Sequence, residues 1–598
     1  MKGALNIFIF LLFGLSLVHT GIFISPLSFS YYAYGIIGLF LVSGYSIFLL
    51  FNNDSRFSFS PPVILFALYG IYYAVQCCFL PNAYFNYGHI YLTVNAFLLI
   101  IFFALYQKKN INFNSICLGI QLLVFFEAIV CFLQYFGIYE SKGEFFLVTG
   151  SLINPNITAM FFTMALPFVL YHVKHKRQAV RIFSWIALTL LFLSLLMLKC
   201  RTAIIGVAVI AVYLANKKFE ILKRLIAYFQ KPSKINLIVA SMLPLLVLIT
   251  LSFSLYNYKK ESADSRFTIW KISLQKGMEN PIWGYGVHSF VKEYNLAQAS
   301  FFASGQGTDE EKQSCSHIKI AYNDYIQNFV EGGGLGVFLY VCFLMLLVIP
   351  GLSRKNNSPE FHLAYSGVLA YGVMSMLNSA QYAIPVFALF IFCAAVVSSY
   401  YIEDSKYSDA SFILNQASIK AILLMITVAS IYLLNTLFTS SNASLQIKEA
   451  FDYVNQAKYK EAISKLEDIS IDMSFTEEYW WVYGSALQGQ REYGKALEKH
   501  KKMLSLTTDP NIFMKVTNCY ANLGKTEEAI QSCTQAMDMI PNRLYPKYIL
   551  MKLYQVKGDS LRSIRIAQDI LTAVPKGISK DAAAFKEGAQ ELIEYYKK

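Results

Sequence analysis

About thirteen apolar runs succeed one another over the first 440 residues, each near the length that crosses a bilayer as a helix. They lie from Lys2 to about Ile24 and near 31–51, 62–80, 88–106, 114–136, 157–173, 180–198, 201–216, 236–256, 326–349, 361–379, 384–402 and 419–440. In hydrocarbon a run of that length must satisfy its backbone N–H and C=O groups within itself, so connected runs with short loops are read as helices. The sequence therefore predicts an all-α chain built on a polytopic membrane helix bundle of about 12–13 transmembrane helices. Composition agrees: 15% of residues are charged, against about 25% in an ordinary soluble protein. No small-residue cleavage pattern follows the first run before Ser25-Pro26, so it reads as a retained helix.

Orientation follows from the basic residues, which gather in alternate loops. One set of loops holds Arg56, then Lys108 and Lys109, then Lys174, Lys176, Arg177 and Arg181. The same set continues with Lys217, Lys218, Lys223, Arg224, Lys231 and Lys234, then Arg354 and Lys355, then Lys406. The opposite connections, Ser25 to Tyr31 and Pro81 to His89, hold none. By the positive-inside rule the N-terminus is cytoplasmic, and both the long polar loop (about 257–325) and the tail after Phe438 lie outside. This placement accounts for the net charge of +13 without nucleic acid as a partner. Cys77, Cys78, Cys117, Cys131, Cys342 and Cys393 fall inside apolar runs, as small packing residues do. Cys315, Cys519 and Cys533 lie in the exported parts, where the sequence assigns no pairing, and no cysteines have zinc-ligand spacing.

Two domains are expected, 1–440 in the membrane and 441–598 outside it. The second repeats every 34 residues or so: Tyr459-Lys460-Glu461-Ala462, Tyr493-Gly494-Lys495-Ala496, Thr526-Glu527-Glu528-Ala529 and a weaker unit at Leu561-Arg562-Ser563. Pro541 and Pro575 close two units. The pattern resembles the tetratricopeptide repeat, an α-solenoid of helical hairpins touching at a small residue. Such a solenoid either stabilises its host or binds a protein partner.

Three outer stretches hold the residues suited to chemistry. Asn154-Pro155-Asn156 enters a helix, with Asn156 as a candidate cap. Lys199-Cys200-Arg201-Thr202 puts an arginine on the side where positive charge is otherwise sparse; a guanidinium there either snorkels or grips phosphate with two hydrogen bonds. In the long loop Phe267, Trp270, Leu274 and Met278 have helical spacing, which predicts an amphipathic helix on the membrane surface with Arg266 at its start. That loop carries eight basic and eight acidic side chains over 257–325, so anion binding there rests on placed arginines. It continues through Pro281-Ile282-Trp283-Gly284-Tyr285-Gly286, His288, His317 and Tyr322-Asn323-Asp324 to Glu331-Gly332-Gly333-Gly334-Leu335-Gly336.

The order of these motifs around one outer loop resembles the bacterial O-antigen ligase and polymerase superfamily, which includes protein O-oligosaccharyltransferases, over roughly residues 60–400. Asn323, Gly333 and Gly336 match the family spacing, whereas Tyr322 stands where the family has a histidine. A phenol, with an ordinary pKa of about 10, is a poor base near neutrality. The base role then falls to His317, His288 or Asp324, or catalysis rests on positioning alone, or the protein is inactive.

The resemblance implies a multi-pass protein of the bacterial inner membrane acting on its periplasmic side. Its donor would be a glycan on polyprenyl pyrophosphate, held by Arg201 and Arg266, and Asn323 would shape the acceptor side. Glu331 and the glycines would admit the loop to a packed helix. Transfer would invert the anomeric centre without metal or cofactor, with lipid A core, a protein or a growing glycan as acceptor. A transporter or a non-catalytic scaffold is the competing class. The runs hold few ionisable residues (Glu127 is one) and show no repeat of discontinuous helices, both of which speak against transport.

Overall fold

The structure, a computed structural model, describes residues 2–52, 58–80, 86–143, 145–220, 260–352, 358–403, 412–413, 415–469, 476–573 and 581–597. Twelve of the expected runs fold as helices: α1 (Lys2–Leu15), α2 (Leu27–Phe51), α3 (Pro61–Phe79), α4 (Tyr87–Gln107), α5 (Phe113–Tyr135), α6 (Pro155–Tyr171), α7 (Gln178–Leu198), α8 (Arg201–Phe219), α12 (Asp324–Val348), α13 (Pro359–Leu377), α14 (Ile384–Glu403) and α15 (Gln416–Asn455). The run at 236–256 lies outside the described residues, as do Arg56, Lys223, Arg224, Lys231, Lys234, Arg354, Lys355, Lys406 and Pro575. Among the described residues nine helices are long and apolar enough to cross a bilayer, while α1 and α6 are apolar but shorter.

The first helix stops at Leu15, well before the expected Ile24. Ser16 Oγ donates to Phe13 O at 2.6 Å, and Ser151 Oγ and Lys142 Nζ hold Leu17 O and His19 O at 2.9 and 2.7 Å. These bonds fix the chain in turns where a helix would otherwise continue. At the centre of the bundle lies α14, apolar on every face and buried along almost its whole length. A helix without a polar face must be surrounded, and α14 packs against α1, α2, α3, α4, α6, α12 and α13. A two-residue pairing of β1 (Ser58–Phe59) with β2 (Phe412–Ile413) is the only sheet among the described residues.

The outer loop holds α9 (Lys260–Gly277), α10 (Phe290–Ala303) and α11 (Asp309–Ser314). On α9 the predicted apolar stripe divides. Phe267, Leu274 and Met278 are exposed, whereas Trp270 turns inward and donates from Nε1 to Ala321 O at 3.0 Å. The indole N–H takes the acceptor that the loop offers, which a bilayer surface could not supply as firmly.

The last membrane run and the first repeat helix form one continuous helix, α15, of 40 residues, so the expected 440/441 boundary falls within it. Helical hairpins follow: α16 (Tyr459–Glu467), α17 (Glu477–Gly489) with α18 (Tyr493–Leu506), α19 (Pro510–Asn522) with α20 (Thr526–Met539), α21 (Leu544–Lys557) with α22 (Ser560–Thr572), then α23 (Ala582–Lys597). Ala462, Ala496, Ala529 and Ser563 are completely buried where helices meet, as a solenoid of hairpins requires.

The solenoid lies against the outer loop along its inter-repeat turns. His317 Nε2 pairs with Thr508 O at 2.7 Å, and Gln298 Nε2 donates to Met539 O at 2.7 Å. Asn542 Nδ2 donates to Gln313 O and Cys315 O, and Lys292 Nζ to Ser505 O. Phe290, Tyr294, Phe301, Phe302 and Ile318 share one apolar cluster with Met539 and Ile540. All ten cysteines are free thiols.

Candidate active site

The site is built on a broken helix. Gly333, inside α12, has φ 61° and ψ −164°, a backbone region open essentially to glycine alone. Such a break strips backbone groups of their helical partners, and the turn Pro281–Gly286 replaces them. Gly334 N donates to Pro281 O at 2.7 Å, Tyr285 N to Val330 O at 3.0 Å and Gly286 N to Glu331 O at 2.8 Å. From α3, Gln76 Nε2 donates to Trp283 O at 2.5 Å and Glu331 O at 3.2 Å, and the Tyr72 hydroxyl to Gly332 O at 2.6 Å. The fit leaves no room for side chains. A Cβ on Gly333 would strike the Ile282 carbonyl, and one on Gly284 would come within 2.5 Å of Gly333 N. One on Gly336 would meet the Tyr73 hydroxyl at 3.0 Å. The two glycine-bearing motifs of the sequence are thus the halves of one lock.

α9 leads into that lock and packs against α12. Arg266 Nη1 donates to Leu377 O at 2.5 Å, and its guanidinium lies 5.1 Å from the Tyr322 ring centroid, a cation–π contact. Tyr322 itself is left-handed (φ 54°). Burial, and then the nearby charge of Arg201, lowers the Arg266 pKa below its ordinary value, and Tyr322 offsets part of this. Arg201 opens α8 immediately after the corner at Lys199 and Cys200. Two neighbouring guanidiniums, one of them opening a helix, suit a phosphate-bearing ligand.

Beneath them a polar network ties α12 to α3 and to the turn between α13 and α14. Asn323 caps α12, its Oδ1 accepting from Tyr325 N at 2.9 Å and Ile326 N at 3.1 Å. Asp324 is fully buried and accepts from Gln381 N at 2.9 Å. Gln327 Oε1 accepts from Ala321 N at 3.0 Å while its Nε2 donates to Glu331 Oε1 at 3.2 Å. The Tyr382 hydroxyl donates to Glu331 Oε2 at 2.5 Å. Asn328 accepts from the hydroxyls of Tyr69 and Tyr73 and donates to Gln381 Oε1 at 3.1 Å. One short turn, 377–382, therefore touches Arg266 at its start and Glu331 at its end.

The structure brings Arg201, Arg266 and Tyr322 together, with Asn323, Asp324, Glu331 and Gly333 following at the start and along α12. It does not bring His317 to them. That imidazole faces the solenoid and Thr508, and burial lowers its pKa first, with Asp509 and the Thr508 hydrogen bond opposing. His288 instead stacks on Tyr382, ring centroids 5.8 Å apart. At the first of the three stretches the cap is Asn154, not Asn156: Pro155 takes the first helical position, so Asn154 Oδ1 accepts from Asn156 N at 2.9 Å. Glu127 Oε1 accepts from Ser151 N at 2.8 Å in the same corner.

Sequence reasoning missed the break in α12 and the polar face of α3. The second was findable, since Tyr69, Tyr72, Tyr73 and Gln76 fall at i, i+3, i+4 and i+7 and so share one side of a helix. Among the described residues no group of three or more His, Cys, Asp or Glu could hold a metal ion.

Residues 186–341, the segment holding α8, the outer loop and most of α12, match the O-antigen ligase family model. No curated protein matches the chain. Among solved structures, the crystal structure of MamA shares 18% identity over 26% of this chain and 81% of its own, at a TM-score of 0.20. Yeast Tom70 shares 12% identity over 82% of this chain and 94% of its own, at a TM-score of 0.24. Such scores do not establish a shared fold.

Proposed function

We propose that the protein is a membrane glycosyltransferase of the O-antigen ligase type. It moves a glycan from a polyprenyl-pyrophosphate donor to an acceptor hydroxyl on the outer, periplasmic side of the inner membrane. The observation that carries this reading is the gathering of Arg266 and Arg201 at the outer start of α8, within the segment matching that family. As the anomeric carbon is displaced, negative charge grows on the departing pyrophosphate. Guanidiniums already fixed in place stabilise that charge without reorganising. Arg266 is held on two sides, by Leu377 O and Tyr322. The apolar helices below suit the polyprenyl tail, and the outer loop suits the sugars.

The acceptor is a glycolipid of the lipid A core type, with an exported protein or a second lipid-linked glycan as the alternatives. The solenoid docked beside the loop is the observation that supports the protein alternative, as acceptor or assembly partner. The test is transfer by the purified protein, with EDTA present, from a lipid-linked oligosaccharide to lipid A core, to a Ser/Thr peptide, or to no added acceptor. Labelling of one acceptor names the reaction. Folded protein that labels none, with a donor it binds, would return the chain to the scaffold class.

A further inference from the structure

An attacking hydroxyl must lose its proton as the new glycosidic bond forms, and a positioned base speeds that loss by about 10²–10⁴-fold. The chain has eight histidines, and seven spend a ring nitrogen on the protein. His19 pairs with Leu17 O, His89 with Cys77 and Asn86, and His172 with Gln121 and Asn114. His175 accepts from Arg177 N, and His317, His362 and His500 pair with Thr508, Tyr213 and Gln488. His288 alone has neither nitrogen engaged among the described residues, and solvent reaches its side chain.

Its placement is fixed even though its ring nitrogens are not. The backbone at His288 is left-handed (φ 67°), a conformation that costs a non-glycine residue energy and persists only where the surroundings impose it. Those surroundings are the lock. On one side Gly286 N donates to Glu331 O at 2.8 Å, and on the other Asn86 Nδ2 donates to Val287 O at 2.9 Å. The ring lies on Tyr382, whose hydroxyl is bound to Glu331. From Tyr382 the chain returns to Leu377, the acceptor of Arg266, in five residues, at most about 17 Å of chain. The imidazole and the guanidinium are therefore presented from opposite ends of one turn.

We propose that His288 is the catalytic base, taking the proton of the acceptor hydroxyl while Arg266 and Arg201 receive the leaving group. This rests on the glycan-transfer reading above. The acceptor oxygen bonds to the anomeric carbon and its proton passes to a ring nitrogen of His288. The bond from that carbon to the pyrophosphate oxygen breaks, and its electron pair leaves on the pyrophosphate. The protein packed against the ring lowers the His288 pKa below the ordinary imidazole value, a direction that favours the neutral, proton-accepting form at pH 7. The titratable groups around it are His89 from α4, Tyr382 from the turn and Glu331 from α12.

The test compares wild type with His288→Asn, because asparagine tolerates the left-handed backbone, and with His288→Gly supplied with free imidazole. With a polyprenyl-pyrophosphate oligosaccharide, His288→Asn should lose about 10²–10⁴-fold in kcat, with the donor KM little changed. The wild-type rate should fall on acidification below about pH 6.5, the ordinary imidazole value, and the variant should lose that limb. Imidazole should restore turnover to His288→Gly in proportion to its neutral form, which a merely structural histidine would not allow. An active wild type beside a His288→Asn that keeps its rate and its acid limb would overturn the base assignment and leave the transferase reading standing. An inactive wild type, folded and donor-bound, would overturn both.

Discussion

The outer loop is held at two edges, and the two are built differently. Its inner edge, Pro281–Gly286, meets the break at Gly333 through backbone hydrogen bonds and two glycines that leave no space for a Cβ. Its outer edge meets the solenoid through side chains, Gln298, His317 and Asn542, reaching backbone carbonyls beside an apolar cluster. A backbone interlock has one solution, because no other residue can take the glycine conformation at Gly333. A side-chain interface tolerates exchange, because each bond contributes only about 0.5–1.5 kcal/mol net. The first edge is where precision resides, and it is also the one that carries Arg266 and His288.

Breaking the inner edge should do the greatest harm. Gly333→Ala should cost about 3 kcal/mol or more, from backbone strain and the collision with Ile282, and should abolish measurable transfer; thermal unfolding of the purified protein reads the first and donor turnover the second. Gln76→Ala removes two hydrogen bonds, although Trp283 O keeps the Tyr72 hydroxyl and Glu331 O keeps Gly286 N, and a loss of about 1–3 kcal/mol is expected, again by thermal unfolding. At the outer edge, Gln298→Ala loses its bonds to Met539 O and Ser316 O and the one from the Tyr294 hydroxyl, and should cost about 1–3 kcal/mol. It should quicken proteolysis between the solenoid and the loop while leaving transfer close to wild type. Equal damage from Gln298→Ala and Gly333→Ala would erase the distinction between the edges.

The smallest effect concerns pH. His317 is held neutral in the fold, with its pKa below the ordinary 6.5. The unfolded or undocked chain therefore binds a proton first as pH falls, so this residue's contribution is complete above about pH 6.5 and fades below it. Hydrogen exchange in residues 505–543 should rise modestly as pH falls below about 6.5, and His317→Gln should flatten that response.

Much of this arrangement was legible in the sequence, for a reason that also explains the rest. Apolar run length fixes a membrane helix almost alone, so twelve runs could be read directly. Buried small residues at a fixed period likewise give away the solenoid, as Ala462, Ala496, Ala529 and Ser563 show. The lock was not legible, because each half reads as a plain turn or a plain helix until the other is present. The same holds for Trp270, whose spacing fits an exposed stripe and whose N–H finds Ala321 O only in the folded loop. Asn323 and Asp324 could be placed at a helix start, where Tyr325 N is the local partner of Asn323, but the partner of Asp324, Gln381 N, is set by the turn beyond α13.

The most direct test of the account is release of polyprenyl pyrophosphate from a lipid-linked oligosaccharide by wild type, Arg266→Lys and Arg266→Ala. The account predicts release by wild type, and a loss of about 10²–10³-fold in Arg266→Ala. Arg266→Lys should lie between, since an ammonium keeps the charge but not the two-pronged grip. Release by Arg266→Ala at the wild-type rate would contradict it, because the lock would then be holding the loop for some purpose other than glycan transfer.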